Sequence, residues 1–75
     1  MKPYRNRSGK SGVAAYESGE GYIRVRFIHD GTYEYNATRP GRLHVGNMQK
    51  LADAGIGLST YISRFVRERY ARKLD

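Results

Sequence analysis

Tyr22-Ile23-Arg24-Val25-Arg26-Phe27-Ile28-His29-Asp30-Gly31-Thr32-Tyr33-Glu34-Tyr35-Asn36 is the stretch that decides the fold. Ile23, Val25 and Phe27 alternate with Tyr22, Arg24 and Arg26, the period-2 pattern of a strand with one face buried and one wet. Asp30-Gly31 is a strong short-range hairpin signal. Thr32 to Ala37, with Tyr33 and Tyr35 two apart, then reads as the returning strand. Two registers are open. A two-residue Asp30-Gly31 turn pairs His29 with Thr32 and Arg26 with Tyr35, placing the tyrosines beside Arg24 and Arg26 as an aromatic and basic platform. A three-residue loop, His29-Asp30-Gly31 with Gly31 left-handed, pairs Phe27 with Tyr33, Val25 with Tyr35 and Arg26 with Glu34. The second gathers the apolar side chains on one side and gives Arg26 a carboxylate on the other. Register follows burial where one face is covered, so the second is favoured and makes Tyr33 and Tyr35 core residues.

Outward from the hairpin, Val13 to Tyr16 is a short strand candidate, and Ser18-Gly19-Glu20-Gly21 turns the chain into Tyr22. On the other side Thr38-Arg39-Pro40-Gly41 breaks the sheet. A helix from about Val45 to Ala54 carries Val45, Met48, Leu51 and Ala52 on one side and is stopped by Gly55. The spacing of Leu58, Tyr61, Ile62, Phe65, Val66 and Tyr70 predicts a final helix from Ser59 to Leu74. Arg64, Glu68 and Arg72 lie four apart beside that stripe, and Arg69 and Lys73 project from the last turns. The expected fold class is α+β: a small antiparallel meander of about three strands, covered on one face by two C-terminal helices. Residues 13–75 make a single domain. Residues 1–12 hold little that can be buried and read as a flexible basic arm.

The chain has 75 residues with fourteen Lys and Arg against seven acids, a formal net charge of +7. Such a charge attracts any polyanion before specific contacts form. With no cysteine, neither a disulfide framework nor a thiolate metal site is open to it. No apolar run has the length of a signal or a membrane span, so the expectation is a soluble cytoplasmic protein that does not engage a membrane.

Several of these features occur together in one known module. Ile23-Arg24-Val25-Arg26-Phe27 matches a strand of the form L-x-V-x-F, Gly31 a glycine turn, and Tyr33-Glu34-Tyr35 a Y-x-Y pair. Leu51-Ala52-Asp53-Ala54-Gly55 matches a glycine-terminated helix end, with Leu58 and Ile62 at later apolar positions. In this order, over roughly residues 11 to 70, the chain resembles the KTSC domain, a small module also found at the C-terminus of some lysyl-tRNA synthetases and as stand-alone bacterial and phage proteins. Asp53 stands where that family usually has Ser, and Ser59 where it usually has Asn. The resemblance implies an α+β fold and gives Gly31, Tyr33, Tyr35 and Gly55 structural roles; the family carries no established activity, and RNA binding is suggested for it through the synthetase association.

Catalytic chemistry is poorly represented. His29 and His44 are isolated from each other and from any telling carboxylate pair, so no catalytic residue, metal site or cofactor is expected and the chain does not read as an enzyme. Ser8-Gly9-Lys10-Ser11 lacks the upstream glycine and preceding strand of a phosphate loop. Nucleic-acid binding is better supported. Tyr4 lies among Lys2, Arg5, Arg7 and Lys10, Tyr22 lies beside Arg24 and Arg26, and Arg64 and Arg67 line one edge of the last helix. Tyrosines can stack on unpaired bases while neighbouring cations hold phosphates. The competing reading makes Tyr22 an edge aromatic, pairs Arg26 with Glu34 and leaves the arginines as a solvated surface. The function expected is a small accessory nucleic-acid-binding module, RNA favoured over DNA. The alternative is a bacterial or phage regulator that docks on an acidic surface of a larger nucleic-acid-processing protein, anchored by Tyr22 and Ile28 or by Tyr70.

Overall fold

The computed structural model describes residues 1–75. The fold is α+β: a five-stranded antiparallel sheet in simple meander order, with two helices on one face. The strands are β1 (Lys2–Pro3), β2 (Val13–Gly19), β3 (Tyr22–Phe27), β4 (Thr32–Asn36) and β5 (Arg72–Lys73). β2, β3 and β4 are the three strands expected, with β2 running past the Val13–Tyr16 candidate to Gly19. β1 and β5 are additions, each two residues long and each covering an outer edge of the central trio.

The β3–β4 register differs from both sequence alternatives by position but agrees with the favoured one in facing. Val25 opposes Tyr33, Ile23 opposes Tyr35, and Arg24, not Arg26, opposes Glu34. The connection is longer than the Asp30-Gly31 signal implies, because β3 ends at Phe27, whose N–H donates to the Gly31 carbonyl (3.2 Å). A shift of two residues leaves every side chain on the same face. The apolar face therefore forms as expected: Ile23 and Val25 are fully buried, Tyr35 almost so, and Phe27 and Tyr33 pack at the margin of the core.

The N-terminal arm is a correction to the sequence reading. Lys2 pairs with Tyr16 and Pro3 with Ala15, the Tyr4 N–H donates to the Ala14 carbonyl (3.0 Å), and the Arg7 N–H donates to the Gly55 carbonyl (2.7 Å). The residue responsible is Tyr4, which is 6% exposed and belongs to the core. Burial of this ring acts together with the β1 pairing and the Arg7–Gly55 hydrogen bond against the entropy of ordering the segment.

α1 (Arg42–Ala54) buries Val45, Met48 and Ala52 and ends at Gly55, whose left-handed backbone returns an N–H to the Leu51 and Ala52 carbonyls. Gln49 ties it to the β2–β3 turn, donating to the carbonyls of Gly19 and Tyr22 at 2.8 Å each. The last helix does not reach Leu74. α2 spans Leu58–Tyr61 and passes into a single π-helical turn, Ile62–Val66, closed by the Arg67 N–H on the Ile62 carbonyl. Leu58, Ile62 and Val66, four apart, are buried, while Phe65 lies outside. Arg67 then turns the chain with φ +54°. Beyond it Ala71 and Leu74 give their N–H groups to the Glu34 and Thr32 carbonyls of β4. Helical spacing in residues 67–74 loses to the unpaired edge of β4, which needs donors more than the helix needs another turn.

Candidate functional site

The open face of the sheet held the first candidate, Tyr22 with Arg24 and Arg26. Pairing places Glu17, Arg24, Glu34 and Arg72 side by side across four strands. The Arg24 guanidinium meets Glu34 at 2.9 Å and Glu17 at 3.5 Å, and Arg72 meets Glu34 at 3.1 Å. The row alternates in sign and its formal charges cancel. The Arg24 hydrogen bond, joined by Asn36 and Arg72, holds the Glu34 carboxyl below its ordinary value, although burial opposes the shift. The Tyr22 hydroxyl donates to Glu17 (3.3 Å), and Arg24 lies 5.2 Å from the Tyr22 ring centroid. Tyr22 and Arg24 are thus bound to one another and to acids. Of that trio Arg26 is left as an unpaired exposed cation, because its expected partner Glu34 is taken by Arg24 and Arg72.

The other sequence candidates separate. Tyr4 is in the core and its hydroxyl accepts the Leu58 N–H (3.3 Å), so it has no free ring to stack. Lys2 lies 5.7 Å from the Tyr16 ring centroid on β1. The Arg5 guanidinium donates to the Asp53 carbonyl (2.7 Å), near the negative end of α1. Arg7 and Lys10 are exposed in the loop that ends at Gly12, and Arg64 and Arg67 are exposed on the π turn and just beyond it. Three of the fourteen basic residues, Arg24, Arg72 and Lys73, are in ion pairs, which leaves eleven without a carboxylate partner. The excess positive charge is therefore carried by exposed side chains outside the Glu17–Arg24–Glu34–Arg72 row, Arg26 on the same sheet face among them.

A second site emerges where the hairpin loop meets the chain after the π turn. A surface cleft of about 390 Å³ is lined by the rings of Phe27, Tyr33, Tyr35 and Tyr70, by Ile62 and Gly12, and by the exposed polar residues His29, Asp30, Arg67 and Glu68. Its volume falls in the range of about 300–1,000 Å³ usual for small-ligand sites. The rings of Phe27 and Tyr33 meet edge to face at 5.7 Å, and Tyr33 and Tyr70 are tilted at 4.6 Å. The Tyr33 hydroxyl donates to Asp30 (2.8 Å) and Lys73 lies 3.5 Å from the same carboxylate. The Tyr33 hydrogen bond, with the Gly31 N–H, lowers the pKa of Asp30, and the Asp30 carboxylate in turn raises that of Tyr33.

Five of the seven tyrosine hydroxyls in the chain have a hydrogen-bond partner within the protein: Tyr4, Tyr16, Tyr22, Tyr33 and Tyr61. The two without one, Tyr35 and Tyr70, both line this cleft. Tyr35 is only 2% exposed, and its hydroxyl, without a partner in the protein, is not fully sealed from solvent, since no fully buried side-chain polar atom lacks a hydrogen bond. Burial foremost, then the neighbouring Tyr33, Tyr70 and Asp30, raises its pKa far above the ordinary tyrosine value and keeps it a neutral donor. Sequence reading placed Tyr33 and Tyr35 on the buried face but assigned them structural roles only. It placed Tyr70 on a continuing helix, so the cleft could not be assembled from it. The signal available was the excess of aromatic residues over what a two-layer core of this size needs.

His44 lies elsewhere, with Nδ1 2.7 Å from the Tyr61 hydroxyl. No three His, Asp or Glu side chains converge as metal ligands would, and no helix is long and apolar enough to cross a membrane. No protein family, curated protein or solved structure matches this chain.

Proposed function

We propose that this chain is a small single-stranded nucleic-acid-binding module, RNA ahead of DNA, whose base-contacting site is the Phe27–Tyr33–Tyr35–Tyr70 cleft. The observation that carries this reading is the pair of tyrosine hydroxyls, on Tyr35 and Tyr70, that the protein itself leaves unpartnered in an aromatic cleft. An unstacked base offers such a cleft both a flat apolar ring and polar edges. The eleven cations without carboxylate partners supply attraction to phosphate, with Arg67 among the residues that line the cleft. The KTSC resemblance favours RNA.

A protein-docking role is the second reading, favoured by exposed apolar side chains on the helical side. Leu43 is 76% exposed and Phe65 52%, and Phe65 extends an aromatic chain through Tyr61 to His44.

Fluorescence anisotropy with labelled single-stranded RNA, single-stranded DNA and duplex DNA across a salt series tests the first reading. Sub-micromolar binding to a single strand near physiological salt, falling linearly in log–log salt plots, is expected. Weak binding that is indifferent to the polymer and vanishes with salt would leave only bulk electrostatics and favour the docking role.

A further inference from the structure

The polar groups that line the cleft are not neutral toward the four bases. Glu68 lies at the cleft with its carboxylate in no ion pair and no hydrogen bond, unlike Glu17, Glu34 and Asp30, which are all engaged. Tyr35 and Tyr70 add two hydroxyls without partners, and Arg67 adds a cation. A free carboxylate accepts two parallel N–H donors well and is repelled by a carbonyl or ring-nitrogen lone pair. Guanine alone presents two adjacent N–H donors on its Watson–Crick edge, N1–H and the 2-amino group, next to the O6 acceptor. Uracil flanks its single N–H with two carbonyls, and adenine and cytosine set an amino group beside an acceptor nitrogen. The protein's overall charge argues against a cationic occupant such as a methylated lysine, since a +7 surface repels a basic peptide before an aromatic cage can hold it.

We infer that the cleft binds one guanine, its ring against Tyr70 and Phe27, its N1–H and 2-amino donors on Glu68, and its O6 on a tyrosine hydroxyl or Arg67. This rests on the nucleic-acid reading above and narrows it to a base. The same chemistry could come from a guanosine in a strand or from a free guanine nucleotide.

The test is anisotropy with a labelled oligouridine and the same strand carrying one central guanosine, on the wild type and on Glu68→Gln, with guanosine monophosphate as competitor. Glu68 is exposed and beyond the last buried helical residue, Val66, so the substitution spares the core. The guanosine strand should bind about tenfold or more tighter than oligouridine, the discrimination of one good bidentate contact, and Glu68→Gln should abolish that ratio. The ratio is the readout because removing a carboxylate strengthens binding to any polyanion. Guanosine monophosphate competing as well as the guanosine strand would support the guanine site and assign it to a free nucleotide. Equal affinity for both strands, with Glu68→Gln changing both alike, would overturn the base preference while leaving a nucleic-acid module. Binding to neither strand would remove the reading on which the inference rests, and the inference with it. Capture of a trimethyllysine peptide in place of either strand would overturn it in favour of a cationic ligand.

Discussion

Gly55 closes α1 at φ +75°, and a Cβ placed there would lie 2.6 Å from the Cβ of Arg5. Gly46, inside α1, has nothing within 4 Å of the equivalent position. The two glycines therefore respond to alanine in opposite directions. Gly55→Ala should lower stability by more than about 1 kcal/mol, through left-handed strain and displacement of the N-terminal segment. Gly46→Ala should raise it by about 0.5–1 kcal/mol through helix propensity. Urea midpoints followed by circular dichroism check the pair, and the opposite order would mean that the arm does not pack on the end of α1. Glu34 supplies a second residue-scale expectation. Its side chain is 10% exposed, and its folded pKa is held below the ordinary 4.5, chiefly by Arg24. A depressed carboxylate stabilises the fold above its unfolded value and loses that contribution as pH falls through the folded one. Melting temperature should accordingly drop below about pH 4.5, and Glu34→Gln should lower it at neutral pH while making the acid limb shallower. An acid limb unchanged by Glu34→Gln would mean the ladder adds nothing to stability.

At the scale of elements, alternation in residues 22–36 was enough to read the central hairpin and its buried face. The exact partner of each arginine was not legible, because a shift of two residues conserves facing and only the loop decides between them. α1 was legible from Val45, Met48 and Ala52 and from its glycine stop. The edge strands were not. Two-residue strands carry no periodicity, and what makes them is the need of β2 and β4 for partners outside their own sequence. The N-terminal segment gives the cleanest measurement. Tyr4→Ala should cost about 3 kcal/mol, in line with loss of a buried aromatic, while Arg7→Ala, three residues on but exposed, should shift stability by less than about 0.5 kcal/mol. Equal, small effects of both would restore the flexible arm.

For the molecule as a whole, the fold sorts its charge. The Glu17–Arg24–Glu34–Arg72 row cancels its own charges, while Arg7, Lys10, Arg26, Arg64 and Arg67 remain exposed and unpaired. Composition made the excess of charge legible, but not which arginines were already engaged, since that depends on cross-strand register. The candidate site moved for the same reason. Tyr4 and Tyr22 looked like stacking residues because cations flank them in sequence, yet one is core and the other is held by Glu17. Tyr35 and Tyr70, thirty-five residues apart in the chain, meet only because residues 67–73 abandon the helix to pair with β4. The most direct test is an amide and aromatic NMR titration with a short single-stranded RNA containing guanosine. Saturable shifts concentrated at Phe27 to Tyr33, Tyr35 and Arg67 to Tyr70, with the Glu17, Tyr22 and Arg24 signals little moved, are the expected result. Shifts centred on the open sheet face, or spread thinly over every exposed cation without saturating, would contradict a base-binding cleft.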